Sequence, residues 1–300
     1  MAIQQAKMDE FIRLLARHTP NEGVNTTILD NMGLFRMSQP MERTPILYEP
    51  AIFMLGQGAK VCYLGDEVYK YDAGKYLIVF LPMPLEVTVT EVSPEYPALM
   101  VGFRLNLSRL ASISLRLDAV DATPVHRSQN DDPSGIYTSS MDVGLLDAAI
   151  RILRTLSDPV EAAMLGEAIL DEIYYRILRE DRNGALQTVL QRQAQIQQIA
   201  RAVDHIHRSM DQTISVEALA EMVNMSATTF HRHFKEVMHL PPLQYAKSIK
   251  LHRAQALIRG GKRANEAGYM VGYTSPAQFS REYKRQFGYA PSATPIEGSF

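Results

Sequence analysis

Residues 226–235 read S-A-T-T-F-H-R-H-F-K, and residues 275–284 read S-P-A-Q-F-S-R-E-Y-K. Serine, phenylalanine, arginine, an aromatic ring and lysine fall at the same five offsets in both. Such self-similarity points to one structural unit used twice. Each copy predicts a helix opened by its serine, whose hydroxyl can accept from the free amides of a first turn. Phe230 and Phe234, like Phe279 and Tyr283, are four apart and make one apolar stripe. The opposite faces carry Thr228, Arg232 and Lys235, flanked by His231, and Ala277, Arg281, Lys284 and Arg285, flanked by Gln278.

A shorter helix is expected before each copy. The first spans Ser215 to Val223 and turns at Asn224, Met225 and Ser226. The second spans about Arg263 to Val271 and turns at Gly272, Tyr273 and Thr274. Asn and Gly tolerate the left-handed backbone such turns need. Helix, tight turn and helix with a basic outer face is the pattern of a DNA-reading helix-turn-helix. Between the copies, Pro241-Pro242 starts a helix from about Leu243 to Arg259, ended by Gly260-Gly261. It would be about 25 Å long at the helical rise. That length suits two readers set on successive major-groove faces ~34 Å apart.

Charge supports a polyanion partner for this half alone. The whole chain of 300 residues has a formal charge of −2. Positions 191–300 carry 14 Lys and Arg against 8 Asp and Glu, and six of the eight histidines lie there. The preceding 190 residues are net acidic, and a split of this kind singles out one half for nucleic acid. The single cysteine, Cys62, excludes an internal disulfide. No apolar run approaches the ~20 residues of a membrane span, and Lys7, Asp9, Glu10 and Arg13 interrupt any leader pattern. A cytoplasmic location is expected by elimination.

The N-terminal part has another character. Ile3 to Arg17 predicts an amphipathic helix. Residues 24–107 then break into about eight short β-rich runs punctuated by Gly and Pro, from T-T-I-L-D at 26–30 to A-L-M-V-G-F-R-L at 98–105. Gly65-Asp66 is a good hairpin turn. Strands at this spacing suggest a barrel or sandwich, and a small barrel can hold one ligand. Residues 108–140 look polar and irregular, with D-D-P-S-G at 131–135 as a loop. Two helices follow, at about 142–156 and 158–180. The stripe of Leu145, Ala149, Ile152 and Leu156 packs onto the barrel or forms a seam between two copies. Asn183-Gly184 marks a boundary. The glutamine-rich run after it is read as linker passing into a helix that carries Ile196, Ile199, Val203 and Ile206.

The segment G-Y-T-S-P-A-Q-F-S-R-E-Y-K-R-Q-F-G-Y-A-P-S at 272–292 closely resembles the C-terminal signature of AraC/XylS-type bacterial transcription regulators. Residues 215–235, P-P-L-Q-Y at 241–245 and L-H-R-A-Q-A-L-I at 251–258 resemble the first half of the same domain. L-G-D-E-V-Y-K-Y-D-A-G at 64–74 and P-M-P-L-E after it resemble the sensor domain of one subgroup, which implies a cupin-like barrel. The resemblance implies an α+β two-domain chain. A cupin-like β-barrel with flanking helices (1–182) would sense an effector and dimerise. A linker (183–194) would lead to an all-α domain (195–300) of two helix-turn-helix modules joined by a long helix. It also implies promoter DNA, RNA polymerase, a small effector and a homodimer as partners. Carried over position by position, Thr228, His231 and Arg232 would face base edges and Lys235 the backbone. In the second module Ala277, Gln278, Ser280 and Arg281 would do so, with Lys284 nearby. Arginine can pair bidentately with guanine and glutamine with adenine. Two departures stand out. Gly268 occupies a position where the family usually has Ala, which predicts a looser second module, because glycine costs a helix about 1 kcal/mol. Ala277 can offer at most a methyl contact. The first module is therefore expected to supply more of the specificity.

Three rival readings compete with this one. An enzyme finds little support: residues 24–107 contain no histidine for a cupin metal site, and neither a nucleophile motif nor a phosphate loop is evident. No metal or resident cofactor is expected. A thiol sensor would use Cys62, with Lys60 two residues away on the same strand face, but a strand cysteine is more often a small buried hydrophobe. A purely architectural DNA binder would have no need of the barrel.

Overall fold

The computed structural model describes residues 2–120, 135–180, 193–212 and 214–295. Helix α1 (Ala2–His18) is followed by nine strands. These are β1 (Gly23–Thr26), β2 (Met32–Met37), β3 (Met41–Tyr48), β4 (Ala51–Gln57), β5 (Ala59–Leu64), β6 (Glu67–Asp72), β7 (Lys75–Val79), β8 (Met83–Thr90) and β9 (Ala98–Arg104). Helix α2 (Leu107–Val120), strand β10 (Ile136–Ser140) and the helices α3 (Val143–Thr155) and α4 (Pro159–Glu180) complete the N-terminal unit. The strands form a six-stranded sheet, β1-β2-β9-β4-β7-β10, and a four-stranded sheet, β3-β8-β5-β6. All the strand pairs are antiparallel. The two sheets face each other as a flattened barrel. Tyr48 and Phe53 meet edge-on across it at 5.1 Å. The outer face of the larger sheet lies under α1, where Phe11 and Leu15 are fully buried.

Two local readings differ from what the sequence predicts, and a third is decided between its two alternatives. T-T-I-L-D is not wholly a strand. The Thr27 hydroxyl accepts from Leu29 N at 3.1 Å and can donate to the Leu29 and Met32 carbonyls, closing a turn between β1 and β2. Residues 108–140 hold α2 and β10 rather than only irregular chain, and β10 adds an edge to the sheet through β7. The stripe of Leu145, Ala149 and Ile152 is buried against α1 and α4. It serves the N-terminal core and is closed to a second copy. The Asn183-Gly184 boundary, the first two residues of the glutamine-rich run (191–192) and all but Gly135 of the D-D-P-S-G loop lie outside the described residues, and the rest of that run is helix rather than linker.

The C-terminal unit is helical. It comprises α5 (Gln193–Arg208), α6 (Val216–Met222), α7 (Ala227–Met238), α8 (Pro242–Arg259), α9 (Ala264–Met270) and α10 (Pro276–Phe287), ending in a short 3-10 turn at Pro291–Ala293. Its apolar packing is divided. Phe230, Phe234, Val237, Tyr245 and Ile249 belong to one continuous core with the barrel. Leu251, Ala254, Ile258, Ala267, Val271, Phe279, Tyr283 and Phe287 form a second core. The division falls within α8, between Ile249 and Leu251. The first module therefore shares a core with the barrel, while the second has a core of its own and touches the barrel through its reading helix on β3.

Gly268 does not loosen the second module. It is buried in α9, and a Cβ there would lie 2.9 Å from Cδ1 and 3.0 Å from Cγ of the enclosed Phe279 ring. Glycine lets α9 sit against α10. Gly268→Ala is expected to destabilise the second module by about 1–3 kcal/mol through overpacking, despite its better helix propensity. Thermal unfolding that is unchanged or raised would contradict this.

His252 on α8 is almost fully buried, edge-on to Phe287 at 5.2 Å, with Nε2 unpartnered. Burial, helped by Arg259, pushes its imidazole down to about 4. An unfolded histidine takes up a proton near 6.5. The native state therefore holds stability above pH ~6.5 that is lost as the pH falls toward 4, about 3 kcal/mol over that window. Unfolding followed from pH 7.5 to 4.5 should show this decline, and His252→Leu should flatten it.

Candidate nucleic-acid interface

The two repeat copies become α7 and α10. Ser226 Oγ accepts from Thr229 N at 3.2 Å, and Ser275 Oγ accepts from Gln278 N at 3.3 Å, so both helices carry the same N-cap. Before them, Asn224 (φ +57) and Gly272 (φ +84) take the left-handed backbone at the matching turn position. Phe230 and Phe234 lie 5.5 Å apart between ring centroids, and Phe279 and Tyr283 lie 5.4 Å apart. All four are fully buried. Their burial fixes the rotation of each helix and turns the opposite face to solvent. Thr228, His231, Arg232 and Lys235 are all exposed on α7, and Ala277, Gln278, Ser280, Arg281 and Lys284 are all exposed on α10.

The two faces differ in how their polar groups are engaged. Arg232 lies 3.9 Å from Glu236 and 3.3 Å from the His233 ring. Arg281 and Lys284 make no ion pair among the described residues. The Gln278 amide donates to Glu282 at 3.3 Å, and that carboxylate also accepts from Tyr273 at 2.8 Å and pairs with Lys247 at 3.4 Å. One Gln278 N–H is thus engaged by Glu282, while its second N–H and its Oε1 stay open to a base. Helix α8, which links the two modules, has 18 residues. It is therefore about 27 Å long.

Sequence reasoning did not find the joint between the two units. Tyr245 is fully buried on α8, and its hydroxyl donates to the Pro82 carbonyl of the barrel at 3.0 Å. It also lies 2.9 Å from His207 Nε2 on α5. Burial lowers the His207 pKa. The neutral ring with Nε2–H as donor completes a chain from α5 through Tyr245 to the barrel. Gly135 N donates to Val237 O at the end of α7, 3.0 Å away. In the sequence, Tyr245 looked like any other apolar position of a helix.

Cys62 is fully buried on β5. Burial pushes its thiol up to about 11, against the pull of Lys60 and a hydrogen bond with Tyr48. A reactive thiol needs the opposite, a lowered pKa and access to solvent. Lys60 beside it is also buried, with Nζ 2.9 Å from the Tyr48 hydroxyl. No metal-ligating cluster of His, Cys, Asp and Glu occurs among the described residues. None of their helices is long and apolar enough to cross a membrane.

A family profile described as the AraC-type transcriptional regulator N-terminus matches residues 28–185, and one described as a helix-turn-helix domain matches residues 219–295. The HTH-type transcriptional regulator AlkR of Acinetobacter baylyi is 30% identical over 95 residues, 31% of each chain. The match thus spans less than a third of that relative. The lactose operon transcription activator of Staphylococcus xylosus is 21% identical over 245 residues, 81% of this chain and 82% of that one. Unsaturated fatty acid bound ToxT from Vibrio cholerae shares the fold with a TM-score of 0.56 and 13% identity, covering 91% of this chain and 96% of that one.

Proposed function

This chain belongs to the AraC-type transcriptional regulators, and we propose that it reads a two-part promoter site with α7 and α10 under the control of a small effector held by the barrel. The observation that carries the DNA reading is the pair of identically capped helices. Each is fixed in rotation by buried aromatics and shows a face of donors and positive charge. Thr228, His231, Arg232, Ala277, Gln278, Ser280 and Arg281 face base edges. Lys235 and Lys284 hold phosphates, which position the helices without reading sequence.

The functional division runs at 1–182 for the sensor, 183–194 for the linker and 195–300 for the reader. The shared core and the Tyr245–Pro82 bond support coupling between barrel and first module. A ligand that fits the barrel better in one arrangement of this joint shifts the population of DNA-competent molecules. The fold-level likeness to ToxT, solved with an unsaturated fatty acid, supports a ligand-holding sensor only by analogy. Exposed Val160, Met164 and Leu165 on α4 offer an apolar patch for a homodimer. RNA polymerase contact, activation of transcription, a cytoplasmic location and the lack of catalysis or a resident cofactor complete the reading. A thiol-sensing role for Cys62 is the alternative, which the raised thiol pKa disfavours. Cys62→Ser should leave the response to effector intact.

Selection of genomic fragments by the purified chain at near-physiological salt tests the proposal. The expected result is a few sites sharing two half-motifs about one helical turn apart. Only weak, sequence-independent and steeply salt-sensitive binding would overturn it.

A further inference from the structure

Among the described residues, the amine at the centre of the barrel has no partner of opposite sign, and burial lowers its pKa. Lys60 on β5 is 3% exposed. Its Nζ donates to the Tyr48 hydroxyl at 2.9 Å and lies 3.9 Å from Met100 Sδ. It sits 5.6 Å from the Tyr48 ring centroid and 6.0 Å from that of Tyr71. Among the described residues no Asp or Glu lies within ion-pair distance of it. Cys62 and the Tyr48 and Tyr71 hydroxyls, which burial holds protonated, supply no negative charge. Lysine is almost never this buried unless paired, because a desolvated ammonium is costly. Two tyrosine rings and a hydroxyl offset only part of that cost.

The surroundings of Lys60 lead outward. Tyr48 meets Phe53 edge-on at 5.1 Å, and Phe53 meets Phe35 at 6.2 Å. Phe35 on β2 is only half-buried, as is Ile46 on β3. An aromatic path thus runs from the surface to the ammonium. Gly33 and Gly102 are paired across β2 and β9 and leave the sheet bare beneath these rings. A Cβ on Gly102 would come within 3.0 Å of both Phe35 and Phe53, so the rings lie directly over the bare strip. Phe35, half-buried, and the flexible Met100 thioether are the side chains whose movement would make room for a ligand there. The Tyr48 hydroxyl accepts from Lys60 and turns its own proton toward Cys62, a weak acceptor that a carboxylate oxygen would outcompete.

We propose that the space between the sheets is a binding site for a small monocarboxylate with an apolar body, whose charge is met by the Lys60 ammonium and the Tyr48 hydroxyl while Phe35, Phe53 and Met100 cover its body. The inference rests on the effector reading above and gives it a chemical class. β5 pairs with β8, and β8 follows directly on Pro82, the acceptor of Tyr245. The site is therefore one strand away from the joint with the DNA-reading domain.

The test uses the full chain, wild type and Lys60→Met, with benzoate, phenylacetate, octanoate and dodecanoate and the amide of each. Calorimetric titration and thermal unfolding give the readouts. At least one acid should bind the wild type and raise its melting temperature, with its amide binding at least tenfold more weakly. Lys60→Met should melt no lower than wild type without ligand and lose at least tenfold in affinity for that acid. An amide that binds as tightly as its acid would overturn the inference and leave the effector reading standing. So would an acid that binds Lys60→Met as tightly as wild type. If Lys60→Met does not fold, the acid and amide comparison in the wild type decides. No binding by any acid at millimolar concentration also overturns the inference. The effector reading falls separately, if small-molecule extracts of the native cells also leave operator binding unchanged.

Discussion

Replacing Arg232 with alanine is expected to weaken binding to the cognate site by tenfold to a hundredfold and to relax its sequence requirement in one half-motif. A bidentate arginine–guanine pair is worth about 1–3 kcal/mol of discrimination, and 1.4 kcal/mol is tenfold in affinity. The side chain is exposed on α7, and its contact with Glu236 at 3.9 Å is long enough to be released at little cost. Arg281→Ala should have the same kind of effect but a smaller loss of discrimination. At the offset where α7 carries Thr228, α10 carries Ala277, and Gln278 is already engaged by Glu282. Lys235→Ala and Lys284→Ala should instead weaken all sequences alike and lower the salt slope by about one each. Selection experiments on the four variants separate these outcomes. A greater loss of discrimination from Arg281→Ala would show that the second module leads the readout.

The reading faces were legible because they rest on local rules. A serine cap, an aromatic pair four residues apart and an Asn or Gly turn each act within one or two helical turns, and all three agree in both copies. Gly268 was misread because its cost in helix propensity is local while its benefit is not. Only the position of Phe279, brought in from the next helix, shows why a side chain cannot fit. The strand β10 was missed for a related reason. I-Y-T-S-S has little period of its own, and its pairing with β7 joins residues about sixty positions apart. Lys60 was visible as a charge in an apolar strand. Its isolation could not be seen, because the four groups nearest it come from β3, β5, β6 and β9. Tyr245 was hidden in the same way, since its hydroxyl partners lie on a barrel loop and on a different helix.

Phe279→Ala is expected to unfold the second reader while leaving the first in place. The ring is fully buried and packs on Tyr273 at 5.3 Å and Tyr283 at 5.4 Å. Truncating such a ring costs about 3–5 kcal/mol. A whole domain has only about 5–15 kcal/mol to lose, and this ring belongs to a core of eight buried residues separate from the main one. The loss should therefore appear as a distinct early transition in calorimetry, with the barrel melting near its wild-type temperature. Phe234→Ala, of similar size, removes a ring from the core shared with the barrel, and should lower the main transition instead. A single transition displaced equally by both variants would show that α8 transmits stability along its whole length. The separate outcome has a consequence for control. An effector that reshapes the barrel acts first on the module sharing its core, and the second module, with a core of its own and a smaller contact on β3, follows from where the first has been placed.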